Sequence, residues 1–188
     1  MIKKIVQFLF LLFLLNTSIH YFRDGFWTQD FGYQLFRGAI LIIHEAGHAI
    51  LSITGSHQII VLGGTLLQLI VPLVFIFYFI WKGHKYSSAI MLWWLGLSVS
   101  DMGVYMADAK LRALPLISGG VDGHDWNNLF GLWGLMKHSD SIGLFAIRLG
   151  YFIMSAAMLW ALWIIISDTK IAKLKKLTYS GEPRIIKQ

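Results

Sequence analysis

Residues 59–81 run without a single charged side chain. At about 1.5 Å of rise per residue, a helix of that length crosses the hydrocarbon core of a bilayer. Water is absent there, so every backbone N–H and C=O must be satisfied inside the structure, which predicts helix rather than open strand. Four further apolar runs accompany it. Residues 5–15 follow Lys3 and Lys4, and residues 39–54 are interrupted by His44, Glu45 and His48. Residues 87–107 carry Asp101, and residues 149–167 precede a basic tail. The pattern predicts an all-α fold, a polytopic membrane helical bundle of about five transmembrane helices plus a short or re-entrant helix.

Composition agrees with that reading. Charged residues make up 14% of the 188, against about 25% in a soluble domain, too few to cover a water-facing surface. The net charge of +6 does not require a nucleic-acid partner, because six of the 16 Lys and Arg residues lie in the last 19 positions. A basic flank after an apolar segment marks a cytoplasmic membrane face. No phosphate loop, dinucleotide fingerprint or nucleic-acid module is visible. With no cysteine in the chain, disulfides, thiol catalysis and thiolate-bound zinc are excluded, and a metal must be held by His and carboxylates. Three regions are expected: residues 1–22 as an N-terminal transmembrane helix or signal anchor, 23–168 as the membrane-embedded core, and 169–188 as a basic cytoplasmic tail.

The first run resembles a signal peptide in its basic start, but Asn16-Thr17-Ser18-Ile19-His20 is a poor cleavage site, so an uncleaved helix is expected. Lys82, His84 and Lys85 place the loop after the third run inside, and the tail lysines place the chain end inside. Five crossings then leave Lys3 and Lys4 outside; either the first helix does not fully cross or the charge rule fails at that end. Residues 21–38, aromatic and bearing Arg23, Asp24, Asp30 and Arg37, are expected at the interface. In residues 110–141, Trp126, Phe130 and Trp133 have the spacing of one helical face and predict the short helix. The eight tryptophans, Trp93 and Trp94 among them, are expected to be mostly interfacial anchors or lipid-facing packing.

The chemistry concentrates in His44-Glu45-Ala46-Gly47-His48. Residues four apart on a helix point the same way, so His44 and His48 can present two imidazoles to one zinc ion, with Glu45 beside them as general base. Three ionisable groups within five residues of a membrane span are costly unless they face a metal or a polar cavity. A catalytic zinc usually takes three protein ligands and keeps one open position. Candidates for the third are His124 and Asp125, then Asp122, then Asp101 or Asp108. Against these stand simpler roles: a solvated turn with Asp125 capping a helix, and Asp101 and Asp108 hydrogen-bonding within the bundle or orienting a histidine. Gly63 and Gly64 leave room for a substrate strand or, the reading small residues in membranes favour, a close helix approach, and Gln68 predicts an interhelical hydrogen bond.

Taken together, His44-Glu45-Ala46-Gly47-His48-Ala49, Gly63-Gly64-Thr65-Leu66-Leu67-Gln68, Asp101 with Tyr105 and Asp108, and His124-Asp125-Trp126 resemble the site-2 protease family of intramembrane zinc metalloproteases. More narrowly, the chain is similar to the small bacterial membrane proteins grouped near that family. The resemblance extends over most of residues 39–140, and its specific motif is the first. It implies bound zinc, His44 and His48 as ligands, Glu45 as general base and an Asp as third ligand. It further implies hydrolysis of peptide bonds in or beside transmembrane segments of a membrane-protein substrate, in a bacterial cytoplasmic membrane. The alternative expectation is a non-proteolytic zinc-binding membrane protein, a pseudoprotease or a partner-binding scaffold. A transporter using intramembrane His and Asp as relay groups is a third, weakened by five short spans without an internal repeat.

Overall fold

A computed structural model describes residues 2–115 and 123–180 of the chain, with side chains through residue 168. Its described residues form six α-helices and no strand: α1 (Ile2–Asp24), α2 (Phe31–Leu51), α3 (His57–Trp81), α4 (Lys85–Asp108), α5 (Asp125–Leu132) and α6 (Ser139–Ser180). Five of them are long and apolar enough to cross a membrane, and α5 is the short one. The protein is therefore an all-α bundle with the composition of a multi-pass membrane protein. In a five-crossing arrangement, α1 leaves Lys3 and Lys4 on the face opposite the α3–α4 turn.

Two helices begin earlier than their apolar runs. α2 starts at Phe31 because Asp30 caps it: its Oδ1 accepts the Tyr33 N–H at 2.9 Å. The first two turns of α2 therefore include Arg37, which stacks over the Phe26 ring at 3.9 Å. α6 starts at Ser139 because its first turns are needed against α4. There Gly96 and Gly103 face Gly150 and Gly143, and a Cβ on Gly103 would meet the Ile147 nitrogen at 2.6 Å. Only glycine lets two backbones approach this closely, the usual basis of helix association in hydrocarbon.

One core cluster, with Leu14, Tyr21, Tyr33, Ile40, Trp93, Leu97 and Met154, ties α1 and α2 to α4 and α6. Trp93 departs from the expectation of an interfacial anchor. It is 1% exposed, and its indole N–H donates to Ser18 Oγ at 2.9 Å. Tryptophan is buried where its N–H finds a partner, and α1 supplies one. The second cluster joins Val61 of α3, Met106 and Ala109 at the end of α4, Ala146 of α6, and Trp126, Leu129 and Phe130 of α5. This cluster holds the start of α5 against α3 and α4. Trp133, beyond the last residue of α5, is exposed, so the apolar face of that helix ends at Phe130.

Candidate metal centre

α2 carries His44 and His48 one turn apart, their rings 4.8 Å between centroids. Both Nε2 atoms converge on one carboxylate oxygen, Asp125 Oδ2, at 2.8 Å from His44 and 3.2 Å from His48. Asp125 is the first residue of α5, brought to α2 from 81 positions away. Among the described residues, His44, His48 and Asp125 form a group whose donor atoms lie within 4.8 Å of one another, close enough together to hold one metal ion.

The other ring nitrogens decide what this group can hold. His44 Nδ1 lies 2.7 Å from Gln68 Oε1, and the Gln68 amide nitrogen donates to the Ser98 carbonyl at 3.0 Å, which sets the orientation of the carboxamide. His48 Nδ1 lies 2.8 Å from the Ile60 carbonyl. Both Nδ1 atoms thus face oxygens that only accept, so each must carry its proton and donate. In a neutral imidazole the Nε2 atoms are then bare lone pairs, and both are aimed at a carboxylate oxygen. Lone pair against lone pair is repulsive, and it is relieved by a proton on an imidazole or on the carboxyl, or by a cation between the three atoms. Two imidazole nitrogens and one carboxylate oxygen are a standard zinc donor set, with ligand edges of about 3.3 Å in a tetrahedral site. The two edges to Asp125 Oδ2, 2.8 and 3.2 Å, are on the scale of such a site, and the three residues fit the donor set.

Glycine makes room for the rings. A Cβ on Gly64 would collide with Nε2 of His44 and would meet His48 Nε2 at 2.6 Å. Beside it, Gly47 of α2 and Gly63 of α3 touch backbone to backbone. The Gly63-Gly64 pair thus does what the sequence predicts for helix contact, and Gly64 additionally shapes the site.

His124 stands next to Asp125 in sequence but apart from it in function. Its Nδ1 accepts the Asn127 N–H at 3.2 Å as the N-cap of α5, and its Nε2 lies 3.3 Å from Asp108 Oδ2. It is fully buried, its ring 4.2 Å from that of Tyr105. Burial pushes the His124 imidazole below its ordinary pKa, against the opposing pull of Asp108. Burial acts to raise the Asp125 carboxyl, but imidazoles protonated at Nε2 donate to it from His44 and His48 and together hold it below the usual carboxylate range. Asp108 accepts the N–H groups of Ala113 and Leu114, fastening the loop after α4. The Tyr105 hydroxyl takes the Asp125 N–H at 3.2 Å, which fixes where α5 begins. Asp101 lies near Arg37 instead of the histidines' nitrogens. Asp122 lies outside the described residues.

A cavity of about 370 Å³ opens onto this group. Glu45, exposed on its wall, makes no hydrogen bond or ion pair with any described residue. Arg37, Asp101 and Tyr105 line the same space. Reading the residues alone does not single out Arg37, although its place seven positions before His44 puts it on nearly the same stripe of α2. The anchoring of Gln68 to His44 is likewise a tertiary fact, beyond the interhelical bond that a glutamine in a span predicts.

No protein-family model, no curated protein and no solved structure matches the chain.

Proposed function

We propose that this protein is an integral membrane zinc metalloprotease, seated in a bacterial cytoplasmic membrane, that hydrolyses peptide bonds in or beside transmembrane segments. The observation that carries the reading is the convergence of two Nε2 lone pairs on one Asp125 oxygen, with both Nδ1 protons already committed. A cation resolves that arrangement, and neutral imidazole with carboxylate suits zinc.

His44, His48 and Asp125 would hold the ion, which when bound lowers the pKa of water and polarises a carbonyl. The remaining work falls to the chain. Gln68 and the Ile60 carbonyl keep each imidazole in the tautomer with Nε2 free. Glu45, next to His44 and unpaired on the cavity wall, accepts the proton of the attacking water. The same carboxyl then returns that proton to the departing amide nitrogen, so the peptide C–N bond breaks with a neutral amine leaving. A cavity open along α2 admits both water and an extended stretch of substrate.

Glu45→Gln tests the reading. Glutamine cannot take a proton, so hydrolysis should fall about 10²–10⁴-fold while zinc content stays near that of the native protein. Membrane proteomes of cells carrying native or Glu45→Gln protein should differ by at least one uncleaved membrane protein in the variant. Identical proteomes with zinc bound in both would favour a non-proteolytic metal-binding role.

A further inference from the structure

Arg37 and Asp101 line the cavity as an open pair. Arg37 Nε and Asp101 Oδ1 are 3.7 Å apart, too far for a hydrogen bond, with the side chains 27% and 20% exposed. The Arg37 guanidinium makes no hydrogen bond to any described residue and rests on the Phe26 ring. Asp101 Oδ1 is shielded from solvent and has no hydrogen-bond partner. A guanidinium normally closes on a neighbouring carboxylate through two parallel bonds. Here it does not, and both side chains line the cavity as a donor beside an acceptor, the exposed part of Asp101 lying beyond its shielded Oδ1.

We propose that Arg37 and Asp101 clamp the backbone of an extended peptide, the Asp101 carboxylate taking an N–H and the Arg37 guanidinium giving to a C=O. This rests on the protease reading above and names how its substrate is held. A residue in extended conformation presents its own N–H and C=O to the same side, as strands do when they exchange both bonds with one opposing residue. An acceptor beside a donor is the complement of that pattern. The clamp is electrically balanced, so it suits a neutral peptide group. An acidic side chain or free carboxylate meets Asp101, and an ammonium meets Arg37.

The need for such a clamp follows from the bilayer. A helical segment must unwind before its carbonyl can be attacked, and unwinding frees N–H and C=O groups that hydrocarbon cannot satisfy. Arg37 precedes His44 by two turns of α2, about 10 Å along the axis. That equals about three extended residues at about 3.3 Å each, so the clamp engages a residue about three positions from the cleaved bond.

The test uses the Glu45→Gln protein, which retains the cavity without turnover. The probe is a labelled synthetic span of about 20 Leu and Ala residues with a central Gly-Gly break. Binding is measured in detergent for Glu45→Gln alone and with Arg37→Met or Asp101→Leu added. Each addition should weaken binding about 10- to 100-fold, the effect of losing a hydrogen bond to a charged group, with zinc content unchanged. The probe is then N-methylated at one backbone nitrogen at a time. One position should cost the parent a comparable factor and cost the Asp101→Leu protein nothing. A merely structural ion pair has no stake in which peptide nitrogen carries a proton. Should Asp101→Leu fail to fold, single thioamides, whose sulfur accepts poorly, give the same comparison between parent and Arg37→Met. Identical position profiles in parent and variant would overturn the clamp and leave the protease reading standing. A parent that binds no probe would overturn both.

Discussion

Two histidine–aspartate pairs sit a few residues apart in this bundle, and they do different things. At the cavity, His44 and His48 bring two Nε2 atoms to one oxygen of Asp125. Behind it, His124 meets Asp108 through a single contact at 3.3 Å, with its other nitrogen spent on capping α5. The residue types are the same and both places are buried. The cavity site differs in having its lone pairs left over and an open wall, whereas every polar atom of the His124 ring is consumed inside the fold. Ligand chemistry is thus a matter of which nitrogen remains unspent, and hydrogen bonding on the far side of the ring decides that.

Breaking the first pair should have the largest effect. The His44→Ala, His48→Ala double variant should bind no zinc by metal analysis of detergent-purified protein. Stoichiometric zinc there would end the comparison at once. Next in size is Gly64→Ala, whose methyl group would strike both imidazoles. Overpacking of this kind costs about 1–3 kcal/mol, and here it should appear as lost zinc affinity more than as lost helix content by circular dichroism. Gln68→Leu fills similar space but leaves the His44 Nδ1 proton without its acceptor. Removing an orienting partner typically weakens metal binding about 10–100-fold, so competition with a chelator should release zinc earlier while the fold persists.

The smallest effect is expected at the second pair. His124→Ala removes the cap of α5 and the contact with Asp108, a loss of about 0.5–2 kcal/mol in stability. Its zinc content should remain at one ion per chain. His124→Asn, which restores a capping oxygen, should recover most of that stability in a thermal melt. Loss of zinc in His124→Asn with the fold intact would mean that the two pairs are not separate, and that His124 belongs to the metal site.

The membrane bundle was legible because hydrocarbon imposes its constraint residue by residue: an uncharged run such as 59–81 has few ways to satisfy its backbone. His44, Glu45 and His48 were legible because helical periodicity alone places them together. Helix starts were less so. The run beginning at residue 39 belongs to a helix that starts at Phe31, because the Asp30 cap and the Arg37 stack on Phe26 carry polar residues that a hydropathy reading assigns to an interface. Trp93 was misplaced for a related reason: the Ser18 hydroxyl that allows its burial comes from another helix.

Between His124 and Asp125 the sequence offers two sound ligands and no means of choosing. Adjacent residues at a helix start point in different directions, and which one meets α2 depends on how α5 is rotated. Trp126, Leu129 and Phe130 set that rotation by burying themselves against α3, α4 and α6. Tyr105 and Asp108 complete it by taking the Asp125 N–H and the His124 ring. The chain by itself determined an all-α membrane bundle and a helix bearing two imidazoles and a carboxylate, since both follow from local periodicity and solvent. Only the tertiary structure decided that Asp125 joins them, that Gln68 spends one nitrogen, and that Arg37 and Asp101 share their cavity. Those contacts join residues 24 to 81 positions apart, and nothing local encodes such distances.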